Sequence, residues 1–120
     1  MRAEDGTAPP RRDGPPLEIG PRELAGWRAA GVPHAILDVR EPWEVAVCGF
    51  EDAIGLPLRD LADGEAGLPR DRPLVVLCHH GRRSLLATAH LRRRGFANAV
   101  NLAGGIDGWA AAVDPGMARY

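Results

Sequence analysis

The chain has 120 residues, 45% of them apolar, and a formal net charge of −1 at pH 7. This size and composition predict one globular domain with a single core, and the charge gives no electrostatic reason to expect nucleic acid or a membrane as a partner. All fifteen basic residues are arginine, so chemistry that needs a lysine, such as Schiff-base or P-loop chemistry, is excluded.

Residues 1–16 are rich in proline and charge and poor in apolar side chains. Such a segment buries too little apolar surface to offset its ordering entropy, so we predict a flexible tail followed by one domain over residues 17–120. The tail lacks the apolar stretch of a secretory signal, and no run is as apolar and long as a membrane span. We therefore expect a cytoplasmic, reducing setting that keeps thiols free.

Apolar runs and turn residues predict strands and helices that alternate along the domain. Short strands are expected around residues 17–19, 35–39, 52–58, 74–78 and 98–102. Helices are expected from Pro21 to a stop at Gly31, over 41–47, briefly within 58–73, over 83–95 and over 106–113. We expect Arg92, Arg93 and Arg94 to be solvated and Trp109 to lie in the core. In the fourth helix, Ser84, Ala87, Thr88 and Leu91 share the inward face. The alternation predicts an α/β fold with a mainly parallel central sheet.

Cys78 follows the most apolar of these predicted strands, at the edge where open α/β sheets bind ligands. The stretch CHHGRR offers successive backbone N–H groups, and Gly81 can adopt a positive φ. A helix that begins near Arg83 or Ser84 adds the positive end of its dipole. This environment lowers the pKa of a thiol, so we predict a nucleophilic Cys78 and not an inert buried one.

The spacing of the loop separates two cysteine chemistries. Cysteine-dependent phosphatases carry C-x5-R, whereas here Arg83 lies five positions after Cys78 and gives C-x4-R. The shorter loop leaves room for a sulfur atom on the cysteine and crowds a tetrahedral phosphate. A phosphatase or arsenate reductase is therefore disfavoured.

His79 and His80 can line the pocket, act as a base or bind a metal. Adjacent side chains are expected to diverge, and no carboxylate or thiol completes a ligand set at an ordinary spacing. We therefore favour a pocket-lining role, and we predict no metal and no cofactor. Cys48 is the other cysteine, and we expect a half-buried spectator there.

Four blocks, in this order, resemble the rhodanese family of sulfurtransferases: LDVREPWE at 37–44, VCGFEDAIGLPL at 47–58, CHHGRRS at 78–84 and NLAGGIDGW at 101–109. The second block departs from the family pattern, because Cys48, Gly49 and Asp52 replace a glycine, a histidine and a glycine. The resemblance implies a three-layer fold with a five-stranded central sheet flanked by helices.

The resemblance also implies a reaction at Cys78. A sulfane sulfur from thiosulfate or a similar donor forms a persulfide on Cys78, and a thiophile such as cyanide or a thiol removes it. The alternatives are a sulfur-relay module that exchanges persulfide sulfur with partner proteins, and a non-catalytic binding domain of this fold. The implied active-site loop comprises His79, His80, Gly81, Arg82, Arg83 and Ser84.

Two pairs of side chains are expected to support this loop. Arg82 should face solvent and attract an anionic donor, whereas Arg83 should turn sideways onto a carboxylate. Asp38 and Arg40 end a neighbouring strand. They form either an ion pair that orders the adjacent loops, with Glu44 as a further partner, or an ordinary surface pair of little energy.

Overall fold

The computed structural model describes residues 16–120, so the tail predicted over residues 1–16 lies outside the described residues except for Pro16. The strands are β1 (Glu18–Ile19), β2 (Ala35–Asp38), β3 (Ile54–Gly55), β4 (Leu74–Leu77) and β5 (Ala99–Leu102). The α-helices are α1 (Pro21–Ala30), α2 (Pro42–Val47), α3 (Leu61–Gly64), α4 (Arg82–Arg93) and α5 (Gly105–Ala112). Two 3-10 turns, Leu58–Asp60 and Glu65–Gly67, flank α3.

The five strands form one sheet in the order β1-β5-β4-β2-β3. Every neighbouring pair is parallel, so the predicted α/β class is confirmed. The central strand β4 is buried at all four positions, as expected for a parallel sheet that helices cover on both faces. In the register of β2 and β4, Asp38 lies opposite Leu77. The residues that follow these two strands therefore lie together at the carboxyl edge of the sheet.

Alternate residues of β4 supply the two cores, one on each face of the sheet. One core contains Leu37, Val39, Leu61, Leu74, Val76, Ala87, Leu91 and Phe96. The other contains Leu24, Ile36, Val75, Leu77, Val100, Leu102, Ile106 and Trp109. The four residues predicted for the inward face of α4 are all buried, and Trp109 lies in the core as expected.

The predicted helix ends agree with the structure to within one or two residues. Pro21 begins α1, and Gly31 ends it with φ = 71°. Helix α4 begins at Arg82, slightly before the expected start, because Gly81 precedes it with φ = 98° and serves as its N-cap. Within residues 16–120, no helix has the length and apolar character needed to cross a membrane.

The prediction of a solvated side chain is wrong for Arg92, whereas Arg93 and Arg94 are exposed as predicted. Arg92 is half-buried, and it donates hydrogen bonds to the carbonyls of Ala99 and Pro16. Arg94 is exposed, but its Nε donates to the buried Glu65 carboxylate at 2.7 Å. Long arginine side chains can cover the core with their methylene groups while their heads find acceptors, which a helical pattern alone does not show.

The first residue of α5 lies against the backbone that follows β4. Gly105 has φ = 63°, and a Cβ atom there would come within 2.5 Å of the carbonyl oxygens of Cys78 and His79. Only glycine permits both this conformation and this approach. Gly105 therefore sets the distance between α5 and the Cys78 loop.

We predict that Gly105→Ala lowers the free energy of unfolding by roughly 2–4 kcal/mol, because it adds a backbone clash to an unfavourable φ. Chemical denaturation measures the loss. Gly108→Ala is the matched control, since a Cβ in this later turn of α5 meets no atom closer than 3.6 Å. The control should be neutral or slightly stabilising. Equal stability of the two variants would contradict the proposed contact.

Candidate active site

Cys78 leaves the carboxyl end of β4 and begins a short loop that Gly81 ends. Cys78 is only 1% exposed. The first turn of α5 holds the loop from behind: the Ile106 N–H donates to the Cys78 carbonyl at 2.8 Å, and the Asp107 N–H donates to the His79 carbonyl at 3.0 Å. These bonds satisfy amides that a helix N-terminus leaves without partners. They also turn the carbonyls away from the thiol.

The opposite side of the loop presents donors to the sulfur. The Gly81 N–H lies 3.1 Å from the Cys78 Sγ, and the Ser84 hydroxyl lies 3.3 Å from it. Burial alone would raise the pKa of the Cys78 thiol, but the hydrogen bonds outweigh burial and lower that pKa. The donors are the Ser84 hydroxyl and the backbone N–H groups of Ser84, Gly81 and His80. The arrangement stabilises a thiolate, which is the nucleophilic form of cysteine.

Arg83 turns sideways onto a carboxylate, as expected. Its two terminal nitrogens donate to the two oxygens of Glu44, each at 2.7 Å, and the Glu44 side chain is only 4% exposed. Glu44 also accepts from the Glu41 N–H at 2.9 Å and from the Tyr120 hydroxyl at 3.0 Å. With Arg83 as the main cause, these donors lower the pKa of Glu44 to about 2. The ion pair fixes the start of α4 against α2.

Asp38 and Arg40 form a buried ion pair, so the alternative of a surface pair is wrong. The Arg40 side chain has no exposed surface, and its Nη2 lies 2.6 Å from an oxygen of Asp38. The guanidinium also donates to the carbonyls of Glu44 and Cys48. Burial would lower the pKa of Arg40, but the hydrogen bonds with Asp38 and Tyr120 raise it. The expected link to Glu44 exists, and it runs through the Glu44 backbone.

The expectation that His79 and His80 diverge is wrong. Their rings stack with centroids 3.8 Å apart and planes 25° apart. On its other side, His79 stacks on Tyr120, with centroids 3.9 Å apart and planes 14° apart. Burial, followed by repulsion from His80, lowers the pKa of His79, which favours a neutral ring. The stack forms because the loop is held between α5 and Tyr120, which neighbouring positions in the sequence do not reveal.

Within residues 16–120, one group of side chains brings potential metal ligands together: His79, His80 and Asp107, whose ligand atoms lie within 4.8 Å of one another. Metal ligation by imidazole needs the ion in the plane of each ring, along the nitrogen lone pair. Because the two rings are nearly parallel, their lone pairs lie in separate planes and do not converge on one ion. Asp107 is also already paired with Arg119 at 2.9 Å. The geometry favours ring stacking over chelation.

The remaining predicted side chains are less constrained. Arg82 is exposed, and within residues 16–120 it has no hydrogen bond or ion pair, so its charge is available at the loop. Cys48 is half-buried as expected, and its Sγ lies 4.0 Å from the Arg40 Nη1.

Tyr120 is the site residue that the sequence interpretation missed. It contacts His79, Arg40 and Glu44, yet it lies outside every motif block and every periodic segment of the sequence. A single tyrosine beyond the last predicted helix carries no signal that would place it against a loop about forty residues earlier.

Known proteins share this sequence pattern. The family model of the rhodanese-like domain matches residues 20–112. The probable adenylyltransferase/sulfurtransferase MoeZ of Mycobacterium tuberculosis is 39% identical over 104 residues, which cover 85% of this chain and 26% of that protein. A sulfurtransferase of Allochromatium vinosum is 37% identical over 75 residues, which cover 62% of this chain and 70% of that protein. The chain thus spans about a quarter of the length of the mycobacterial relative.

The fold is shared as well. The crystal structure of a rhodanese-related protein from Thermoplasma volcanium superposes with a TM-score of 0.73 and 32% sequence identity. The superposition covers 80% of this chain and 92% of that chain. The five-stranded parallel sheet and its flanking helices are therefore those of the family.

We predict that Ser84→Ala raises the pKa of Cys78 and slows its alkylation by iodoacetamide at pH 7 about fivefold to tenfold, because it removes a donor to the thiolate. The rate is measured as a function of pH in a Cys48→Ser background. Thr88→Ala is the control, since this buried hydroxyl lies one turn later and donates to the Ser84 carbonyl. If Ser84→Ala left the rate unchanged, the hydroxyl would not stabilise the thiolate.

Glu44 should make the free energy of unfolding depend on pH in the acidic range. Its pKa is about 2 in the folded protein and near 4.3 when unfolded, so its contribution is complete above the unfolded value and disappears as the pH falls towards 2. Glu44→Gln should therefore be less stable than the wild type at pH 7, by at most about 3 kcal/mol. The difference should shrink between roughly pH 4.5 and pH 2.

Denaturant unfolding at a series of pH values measures this difference. Glu23→Gln is the control, because Glu23 is exposed on α1, and its stability should follow that of the wild type at every pH. A difference between the wild type and Glu44→Gln that stayed constant down to pH 2 would show that the ionised carboxylate is not what stabilises the fold.

Proposed function

Because the chain belongs to the family of rhodanese-like domains, we propose that it is a sulfurtransferase that carries sulfur on Cys78. The proposed reaction moves a sulfane sulfur from thiosulfate, or a similar anionic donor, to a thiophilic acceptor such as cyanide or a thiol. The observation that carries this proposal is the buried Cys78 sulfur, which receives hydrogen bonds from Gly81 and Ser84. Such a site suits a thiolate that attacks sulfur and then becomes a persulfide anion.

Each half of the reaction is a substitution at sulfur. The Cys78 thiolate attacks the outer sulfur of thiosulfate, a new S–S bond forms at Cys78, and sulfite leaves with the electron pair of the broken S–S bond. Cyanide or an acceptor thiolate then attacks the terminal sulfur of the persulfide, and Cys78 leaves as a thiolate. Cyanide becomes thiocyanate, and a thiolate becomes a persulfide. The cycle requires no cofactor and no outside oxidant.

The loop would stabilise both anionic forms of Cys78. A persulfide anion places its charge one atom further out than a thiolate, and the N–H groups of the loop lie in position to remain its donors. Helix α4 follows directly, and its positive N-terminal end favours negative charge at the same place. Preorganised donors of this kind lower the free energy of the charged intermediate without reorganising during the reaction.

The neighbouring side chains divide into two roles. Arg82 is exposed and has no partner within the described residues, so we assign it to attracting and binding the anionic donor. Arg83 is occupied by Glu44 and serves to hold the loop. His79 and His80 line the site, and the buried Asp38–Arg40 pair supports the frame behind it.

A second function of the same chemistry is a sulfur relay. The relative MoeZ is named an adenylyltransferase/sulfurtransferase, and this chain matches about a quarter of it. In a relay, a protein persulfide would load Cys78 and a partner protein would unload it. Rapid loading by a cysteine desulfurase, combined with slow loading by thiosulfate, would favour the relay.

We predict that incubation with thiosulfate makes the protein one sulfur atom heavier in a non-reducing intact-mass spectrum. Cyanide should remove this sulfur and release thiocyanate. Cys78→Ser should abolish the adduct. The matched variant Cys48→Ser should retain it, because Cys48 lies outside the Cys78 loop and donates no hydrogen bond to the Cys78 sulfur.

The same assay tests the role of Arg82. Arg82→Ala should raise the thiosulfate concentration needed for half-maximal loading, because it removes the unpaired cation at the loop. The proposal fails if the wild type gains no sulfur from thiosulfate or from the desulfurase donor. It also fails if the adduct persists in Cys78→Ser.

A further inference from the structure

The segment that follows α5 folds back against the Cys78 loop. It comprises residues 113–120 and lies beyond residues 20–112, which match the family model. Two anchors hold it: Met117 packs half-buried against the core on the α5 side of the sheet, and Arg119 pairs with Asp107 at 2.9 Å. The segment therefore has a defined position relative to the loop.

Tyr120 reaches the loop in two ways. Its ring stacks on His79, the residue after Cys78, with centroids 3.9 Å apart. Its hydroxyl donates to Glu44 at 3.0 Å and accepts from the Arg40 Nη1 at 3.1 Å. Since Glu44 binds Arg83 in the first turn of α4, Tyr120 touches the start of the loop directly and the helix that follows the loop through a single carboxylate.

The ring of Tyr120 also fills the space beside the loop. A narrow, partly open cleft beside the loop has no room for a water molecule, and its lining includes Cys48, His79, Ile106 and Tyr120. Without the tyrosine ring, one face of His79 would lose its packing partner and the His79 side chain would gain room to rotate. The backbone of His79 adjoins the amides that face the Cys78 sulfur.

We infer that Tyr120 is a positioning residue that holds the Cys78 loop in the conformation that directs its N–H groups at the sulfur. The inference deepens the proposed function, because it concerns the thiol that would carry the sulfur. Both parts of the side chain contribute: the ring fixes His79, and the hydroxyl fixes the carboxylate that binds Arg83. The charged groups that face Tyr120 are Arg40 and Glu44, with Arg83 beside Glu44. The titratable ring of His79 stacks on Tyr120 itself.

Two variants separate the ring from the hydroxyl. Tyr120→Phe keeps the stack on His79 and removes both hydrogen bonds, whereas Tyr120→Leu removes the stack as well. Phe50→Leu is the matched control, because Phe50 packs edge-on against Trp109 at 4.9 Å in the same core and is not part of the loop. All variants are made in the full chain with Cys48→Ser, so that Cys78 is the only thiol.

The experiment measures the rate of Cys78 alkylation by iodoacetamide as a function of pH, together with thermal unfolding of each variant. Tyr120→Leu should raise the pKa of Cys78 and slow alkylation at pH 7 about fivefold, since the aromatic contact and both hydrogen bonds are lost. Tyr120→Phe should slow it about twofold to threefold. Phe50→Leu should lower thermal stability and leave the pH profile unchanged.

Two results would overturn the inference. One is that folded Tyr120→Leu protein shows the same pH dependence of Cys78 alkylation as the wild type. The other is an equal shift of the profile in Phe50→Leu, which would mean that general loosening of the core explains the effect. If Tyr120→Leu does not fold, Tyr120→Met replaces it in the same comparison, because methionine keeps apolar bulk without a ring.

This readout is independent of the proposed function, because alkylation needs no sulfur donor. A wild-type protein that gains no sulfur, combined with the expected order of alkylation rates, would refute sulfur transfer and leave the role of Tyr120 intact. Normal sulfur loading with unchanged alkylation in every Tyr120 variant would refute the role of Tyr120 and leave sulfur transfer intact.

Discussion

The chemistry of this site depends on one constraint: the peptide groups after Cys78 must turn their N–H groups towards the sulfur and their carbonyls away from it. Two amides of α5 impose this orientation by binding the carbonyls of Cys78 and His79. Gly105 permits the close approach, because any Cβ there would overlap those carbonyls. A buried thiol that would otherwise resist ionisation thereby becomes more acidic than an ordinary cysteine.

A second set of interactions keeps this loop in place from the side. Arg40 and Glu44 are almost completely buried, and burying a charge without a partner is costly. Each therefore has several partners: Arg40 binds Asp38, and Glu44 binds Arg83. Tyr120 joins the two pairs through its hydroxyl. These paired charges fix the direction in which α4 leaves the loop.

Much of this arrangement could be predicted from local sequence patterns. The apolar run of β4, the inward face of α4 and the position of Cys78 follow from periodicity and from the geometry of parallel sheets. The burial of the Asp38–Arg40 pair and the stacking of His79 could not be predicted in the same way. Tyr120 and the backbone of Cys48 cover the ion pair, whereas α5 and Tyr120 hold the His79 stack. These contacts form through tertiary packing, and one sequence carries no pattern for them.

If the loop donors prevail over burial, the pKa of Cys78 lies below that of an ordinary cysteine. Titrating the ultraviolet absorbance of the thiolate in Cys48→Ser protein, where Cys78 is the only thiol, measures this pKa. We expect a midpoint clearly below about 8.5, the ordinary value for cysteine. A midpoint at or above that value in the folded protein would mean that burial dominates and that the loop donors do not stabilise the thiolate.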